Sequence, residues 1–274
     1  MLPPNELTTY EKEQVESIKR WKNKEPSIVS KTFGFLAQPV TWLAQKVIPN
    51  AAIRGVLNAA NGAAYILADT EDIERDAGVQ KISDLKVKNL EVSDTLSNEV
   101  HNWAIAIGTV EGGVTGAAGL PGLALDVPAI ITIALRTIYK IALCYGYECK
   151  DEQDKNYVLG ILSASGANTM AEKAKALLTL KTIEVSIAKT TWKAMAKKAA
   201  NSQFSKSGGI ISIKHLAKQL GINLTKRKAA QIIPVVGSGV GASVNGLYIQ
   251  GVGWAARRKF QERWLIDNQK LIDI

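Results

Sequence analysis

An all-α fold, one helical globular domain with two glycine-rich helical hairpins in its core, is predicted for this 274-residue chain. Three observations predict it. Sustained apolar/polar alternation, the mark of a half-buried strand, is absent. Helix start signals recur along the chain. Two long apolar segments carry glycine at close intervals. The first is Ala104 to Leu125, AIAIGTVEGGVTGAAGLPGLAL, whose one charge is Glu111; the second is Ala229 to Ala256, 28 residues with six glycines and no acidic or basic side chain.

The second segment admits two readings. As a single helix rising about 1.5 Å per residue it is long enough to cross a hydrocarbon core of about 30 Å. Each interior glycine, however, costs a helix about 1 kcal/mol relative to alanine, and Pro234 about 3. The favoured reading is two soluble helices meeting at a Pro-Val-Val-Gly-Ser-Gly corner, with glycines where backbones pack tightly.

The elements follow in order. Thr8-x-x-Glu11 is a capping box opening a helix through Lys22, with Val15, Ile18 and Trp21 on one stripe. Ser27 to Val47 is helical and interrupted at Pro39, and Asn50 to Ala68 continues the theme before an acidic exit at Gly78. VQKISDLKVKNLEV is the one place for a strand or extended loop. Ser93 or Asp94 caps a helix through Trp103, and Asp126-Val127-Pro128 starts another, closing at Gly146. That second helix is apolar on most faces, but Arg136 and Lys140 inside it favour a buried soluble helix over a membrane span. Asp151-x-x-Asp154 begins a helix ending near Gly166. Asn168 to Asn201 is a long helix with Leu180, Ile183, Ile187, Thr191 and Ala194 on one stripe and Lys189, Lys193 and Lys197 opposite. NSQFSKSGG is a linker, Ser212 to Leu220 a short helix closed by Gly221, and Thr225 caps the next. Arg257 to Asn268 ends the chain as an amphipathic helix. Residues 1–92 form an N-terminal helical region and 93–274 a helical domain, packed as one unit.

Charge is uneven. Residues 1–100 hold 12 basic and 14 acidic side chains, whereas 166–260 hold 16 basic and 2 acidic, +14 against +9 for the whole chain. A basic half of this kind points to a polyanionic partner. A basic amphipathic helix suits an anionic membrane surface, and the candidate contacts are Lys189, Lys193, Lys197, Lys226, Arg227 and Lys228. The N-terminus is polar and acidic without an apolar core, so a cytoplasmic protein, peripheral to the inner face of the plasma membrane, is expected.

Catalytic and cofactor signatures are missing: no phosphate-binding loop, no HExxH, no nucleophile elbow. No cofactor is expected, and two histidines in the whole chain leave no zinc set. Cys144 and Cys149 are read as a buried thiol and a loop thiol. Glu111 and Asp126 are the candidate catalytic carboxylates, because an ionised carboxylate in apolar surroundings must be paired, neutral or at the surface; Arg54, Arg136 and Lys140 are the candidate partners. A half helix-turn-helix at Leu216 to Leu220 fails at Arg227, so specific DNA binding is not expected.

EGGVTGAAGLPGLALDVP, then an apolar helix ending in YGYE, then LAKQLGINLTKRKAAQIIPVVGSGVGASVN and a terminal ERWL together resemble the EcsC family over roughly residues 100–268. The resemblance implies a bacterial protein associated with transport or secretion through its encoding beside an ABC transporter, with a membrane protein of that kind as a partner. Motif positions carried over are Gly112, Gly113, Gly116, Gly119, Asp126, Tyr145, Gly146, Pro234, Gly237, Gly241 and Asn245. The resemblance assigns none of them a role. The functional expectation is a non-enzymatic, membrane-peripheral accessory protein docking through its basic half. The alternative is an enzyme with a cleft between the glycine-rich segments, using Glu111 and Asp126.

Overall fold

The computed structural model describes residues 6–26, 50–63, 68–117, 119–197, 211–228 and 234–271, with side chains over a somewhat narrower set. It is all-α, with no strand among these residues. The helices are α1 (Thr9–Asn23), α2 (Asn50–Ala63), α3 (Glu71–Ala77), α4 (Leu90–Ala117), α5 (Gly119–Cys144), α6 (Glu152–Ser165), α7 (Met170–Lys197), α8 (Ile213–Lys228) and α9 (Pro234–Asp267); a short 3-10 helix, Ile82–Val87, precedes α4.

Local signals set several boundaries. The Thr8 hydroxyl accepts from the Glu11 amide at 3.2 Å while the Glu11 carboxylate accepts from the Thr8 amide at 2.7 Å, two orphan donors satisfied reciprocally. Asp151 caps α6 by accepting from the Asp154 amide. Gly146 closes the turn after α5 at φ +87, and a side chain there would strike the Lys86 backbone.

Tertiary packing overrides the local signals elsewhere. Asp126 and Pro128 do not begin a helix: α5 starts at Gly119 and runs through Pro128. Ser93 and Asp94 are not caps either, because α4 starts at Leu90, and Asn89 accepts from the Val92 amide. The segment expected to be extended forms the 3-10 helix, burying Ile82 and Leu85. Gly221 and Thr225 lie inside the single helix α8. The predicted helix over Ser27 to Val47 and the linker NSQFSKSGG fall outside the described residues.

The largest departure is α9. No corner forms at Gly-Ser-Gly: 34 residues run as one helix from Pro234, where proline is tolerated because the first amides have no intrahelical acceptor. Gly246 and Gly253 let α9 approach α4 closely, as Gly108 does from the α4 side. A Cβ on Gly108 would lie 2.8 Å from Ile249 Cγ1, one on Gly246 2.5 Å from Thr109 Oγ1, and one on Gly253 would collide with the His101 imidazole. Asp94–Gln261, Asn98–Arg257, His101–Gln250 and Glu111–Asn245 contacts show the two helices running antiparallel along most of their length. The C-terminal stretch of α9 is accordingly not an amphipathic surface helix. It is buried on nearly every face from Ala255 to Leu265.

His101 pays into this packing a pH dependence. Its Nε2 lies 3.0 Å from the Gln250 carbonyl oxygen, its ring meets Trp254 edge-on, and burial with the neighbouring Arg257 pushes its pKa down to about 4. The folded state therefore keeps the imidazole neutral while the unfolded chain takes up a proton below about 6.5. Stability is complete above that pH and falls as the pH drops toward 4, by up to about 3 kcal/mol. Urea midpoints measured from pH 4 to 7 should follow this curve, and His101→Gln should flatten it.

Between Asp126 and Cys144, α5 is long and apolar enough to cross a membrane by length and composition, yet 67% of that stretch is buried inside the protein. Of its two inner charges, Arg136 is exposed and Lys140 pairs with Asp72 of α3.

Candidate functional site

Glu111 and Asp126, 15 positions apart on α4 and α5, meet on one side chain from α9. The Asn245 amide Nδ2 donates to Glu111 Oε2 at 2.6 Å and to Asp126 Oδ1 at 2.8 Å. Asn245 is fully buried, Asp126 is 1% exposed, and Glu111 is half-buried. An amide has two N–H donors and one acceptor oxygen. Here both donors are used on carboxylates, and Oδ1 is buried with no hydrogen-bond partner among the described residues. The arrangement ties the two glycine segments together: Gly112 is buried beside Glu111, and Gly246 next to Asn245 lets α9 press on Thr109.

The sequence singled out both carboxylates but not their shared partner. Of the candidate counter-groups Arg54, Arg136 and Lys140, Lys140 pairs with Asp72, and the Asn245 amide donates to both carboxylates. Asp126 is no helix cap, and Glu111 lies within α4. Chemically, the shared amide holds the two carboxylates as acceptors at one point; acid or base work there would also need a substrate proton within hydrogen-bond reach. Neither lines either of the two clefts described below.

Three of the other motif positions have structural roles. The Tyr145 hydroxyl donates to Asp94 at 2.5 Å, where Tyr10 and Gln261 also donate, so one buried carboxylate joins α1, α4, α9 and the turn after α5. Burial and that carboxylate hold both tyrosines above their ordinary pKa. In the terminal ERWL, Glu262 accepts from Lys259 and Lys22 at 2.6 Å each, and Arg263 reaches Asp154 at 2.6 Å while stacking over Tyr147. Lys259, 2% exposed, also pairs with Glu184 at 2.8 Å. Burial alone would discharge its ammonium, but the two glutamates outweigh that and raise its pKa. These ion pairs link residues up to 240 positions apart, which no spacing rule exposes.

Cys144 and Cys149 are both buried free thiols, held protonated by burial. His215 is exposed, and no group of three or more His, Cys, Asp or Glu suited to a metal occurs among the described residues. Gly116, Gly237 and Gly241 lie within α4 and α9; Gly113 is half-buried beside Gly112. The side chains of Lys189, Lys193 and Lys197 on α7, and of Lys226, Arg227 and Lys228 at the end of α8, lie outside the described residues.

The described part of α7 nevertheless has a distinct outer face. Leu178 is 67% exposed and Val185 45%, with exposed Lys175 and Lys181 one turn away from them. Both glutamates of this stretch turn inward. Glu172 accepts from the Asn168 backbone amide and from Asn223, and Glu184 accepts from Tyr157 and pairs with Lys259. Among the described residues the outer face carries apolar, hydroxyl and cationic groups and no outward carboxylate. A second exposed apolar stripe, Trp103, Ile107 and Val110 on α4, borders a groove of about 500 Å³. That groove holds Asp72, Asp76 and Glu99 as well as Arg75, Arg136 and Lys140, and so has no net sign.

Comparison with known proteins gives one family and one relative. A stretch of 95 residues is 26% identical to "Uncharacterized protein YdbA" of Bacillus subtilis (strain 168), covering 35% of each chain. The match thus spans about a third of that relative's length. No solved structure matches. The family model extends well N-terminal of the motifs that carried the resemblance, taking in most of α1 and all of α2 and α3. Matched to the EcsC protein family over residues 12–265, the chain belongs to that family.

Proposed function

We propose that the protein is a membrane-peripheral accessory protein, linked to transport or secretion at the cytoplasmic face, that docks on anionic lipid through the outer face of α7. The observation that carries this reading is the α7 surface itself: Leu178 and Val185 stand out among lysines while both neighbouring glutamates are drawn into the interior. Apolar side chains entering the headgroup boundary and lysines facing anionic lipid are the two forces that hold an interfacial helix. Each lysine near such a surface contributes about 1 kcal/mol. Charge separates this face from the α4 stripe, whose mixed signs offer an anionic surface no net attraction. The basic balance of residues 166–260 extends the same field.

Reversing Lys175 and Lys181 to glutamate should weaken partitioning onto phosphatidylglycerol vesicles about tenfold or more, since attraction is replaced by repulsion. Co-sedimentation reads this directly. Unchanged partitioning of the reversed variant would remove α7 from the account.

The enzyme reading keeps one observation in its favour, the convergence of Glu111 and Asp126 on Asn245. It requires substrate access to that point. Glu111→Gln, which preserves shape, separates the readings: it should leave vesicle binding unchanged if α7 carries the function.

A further inference from the structure

A cleft of about 420 Å³ opens where the C-terminal end of α1 meets α6, the start of α7 and the middle of α9. Four cations line it: Arg20 and Lys24 from α1 and its C-cap, Lys173 from α7 and Arg258 from α9. Five basic side chains elsewhere, Lys22, Lys140, Lys259, Arg263 and Lys270, form ion pairs with carboxylates. The four in the cleft do not. Arg20 donates to the Ser17 hydroxyl, Arg258 to the amide oxygens of Gln14 and Gln261, and Lys173 to the backbone carbonyls of Trp21 and Lys24. Among the described residues none of them forms an ion pair with a carboxylate. The one acidic residue lining the cleft is Glu25.

Two tryptophans complete the walls. The Lys173 ammonium lies 4.7 Å from the centroid of the Trp21 ring, and the Arg258 guanidinium 5.0 Å from that of Trp254. Trp254 is 37% exposed, and a Cβ added at neighbouring Gly251 would meet open space. Burial, with Lys24 nearby, lowers the Lys173 pKa to about 8, and burial with Arg257 lowers that of Arg258.

We propose that this cleft binds a phosphate-bearing small molecule with an apolar body, the phosphate against Arg20, Lys24 and Arg258 and the body against Trp21 and Trp254. Guanidinium groups present paired donors that match phosphate oxygens. The volume lies within the range of ligand sites, about 300 to 1,000 Å³, and exceeds what an inorganic phosphate fills. The two sources of this chemistry are a soluble phosphomonoester, such as a nucleotide, and a lipid headgroup. The cleft uses none of the α7 residues on which membrane docking rests, so the two readings fail separately.

Titration calorimetry on the full chain at low salt tests it with three probes: AMP, monomeric dihexanoyl-phosphatidylglycerol and inorganic phosphate. Arg20→Gln with Lys24→Gln changes two exposed side chains and should leave the fold intact by circular dichroism. Arg258→Gln is the second variant. Binding of AMP, weakened about tenfold or more in the variants, supports the site and assigns a soluble ligand. The same result with the short-chain lipid alone supports it and assigns a headgroup. Lysines 175 and 181, reversed to glutamate, should leave this binding unchanged. No binding of either probe at millimolar concentration overturns the proposal. So does equal affinity in wild type and variants, or inorganic phosphate binding as tightly as the larger probes.

Discussion

Lys259→Met is expected to destabilise the protein by about 3 to 5 kcal/mol, the size of loss seen when one partner is removed from a buried ion pair. Lys259 is fully enclosed and sits between Glu184 at 2.8 Å and Glu262 at 2.6 Å. Methionine fills much of the lysine stem but leaves both carboxylates short of their shared cation. Tyr157 still donates to Glu184, and Lys22 still pairs with Glu262, so the chain should fold, with a lower urea midpoint. Adding Glu184→Gln should recover part of the loss, because it removes the charge left facing the methionine. An additive double variant would show that the pair is not coupled.

Asn245→Leu should cost about 3 kcal/mol, within the penalty range for taking hydrogen-bond partners from buried polar groups, with charged groups at its upper end. The substitution keeps roughly the same bulk, so the loss comes from the two N–H donors rather than from a cavity. At roughly 2 to 4 °C per kcal/mol for a chain near this size, the melting temperature should fall about 6 to 12 °C. Neutralising one acceptor as well, in Asn245→Leu with Asp126→Asn, should restore several degrees. If Asn245→Leu melts with the wild type, the three-helix tie through Glu111 and Asp126 contributes nothing to stability.

What the sequence made legible was local. The capping box at Thr8 and Glu11 and the Asp151 cap act within one turn, so neighbouring letters determine them. The glycine segments were legible as core, but their shape was not. The helix penalties of Gly246 and Gly253 in α9 are set against close contact with α4, and that partner is more than a hundred positions away. The same distance hid Asn245: nothing adjacent to it in sequence is acidic, and its two carboxylates arrive from α4 and α5. Asp126-Val127-Pro128 misled for the converse reason. It carries a local start signal inside a helix whose burial outweighs the lost backbone hydrogen bond. Periodicity placed Lys189, Lys193 and Lys197 on one face of α7, where their side chains lie outside the described residues; it did not single out Lys175 and Lys181, nor the inward turn of Glu172 and Glu184, whose acceptor roles depend on Asn223, Tyr157 and Lys259.

Flotation of the purified protein with phosphatidylglycerol and with phosphatidylcholine vesicles, at low and high salt, tests the membrane reading most directly. The α7 account predicts binding to the anionic vesicles alone, lost in high salt, because exposed charges are screened within about 10 Å at 0.1 M. It also predicts that the Lys175→Glu, Lys181→Glu variant floats poorly even at low salt. Equal binding to both vesicle types, unaffected by salt and by the double reversal, would contradict it.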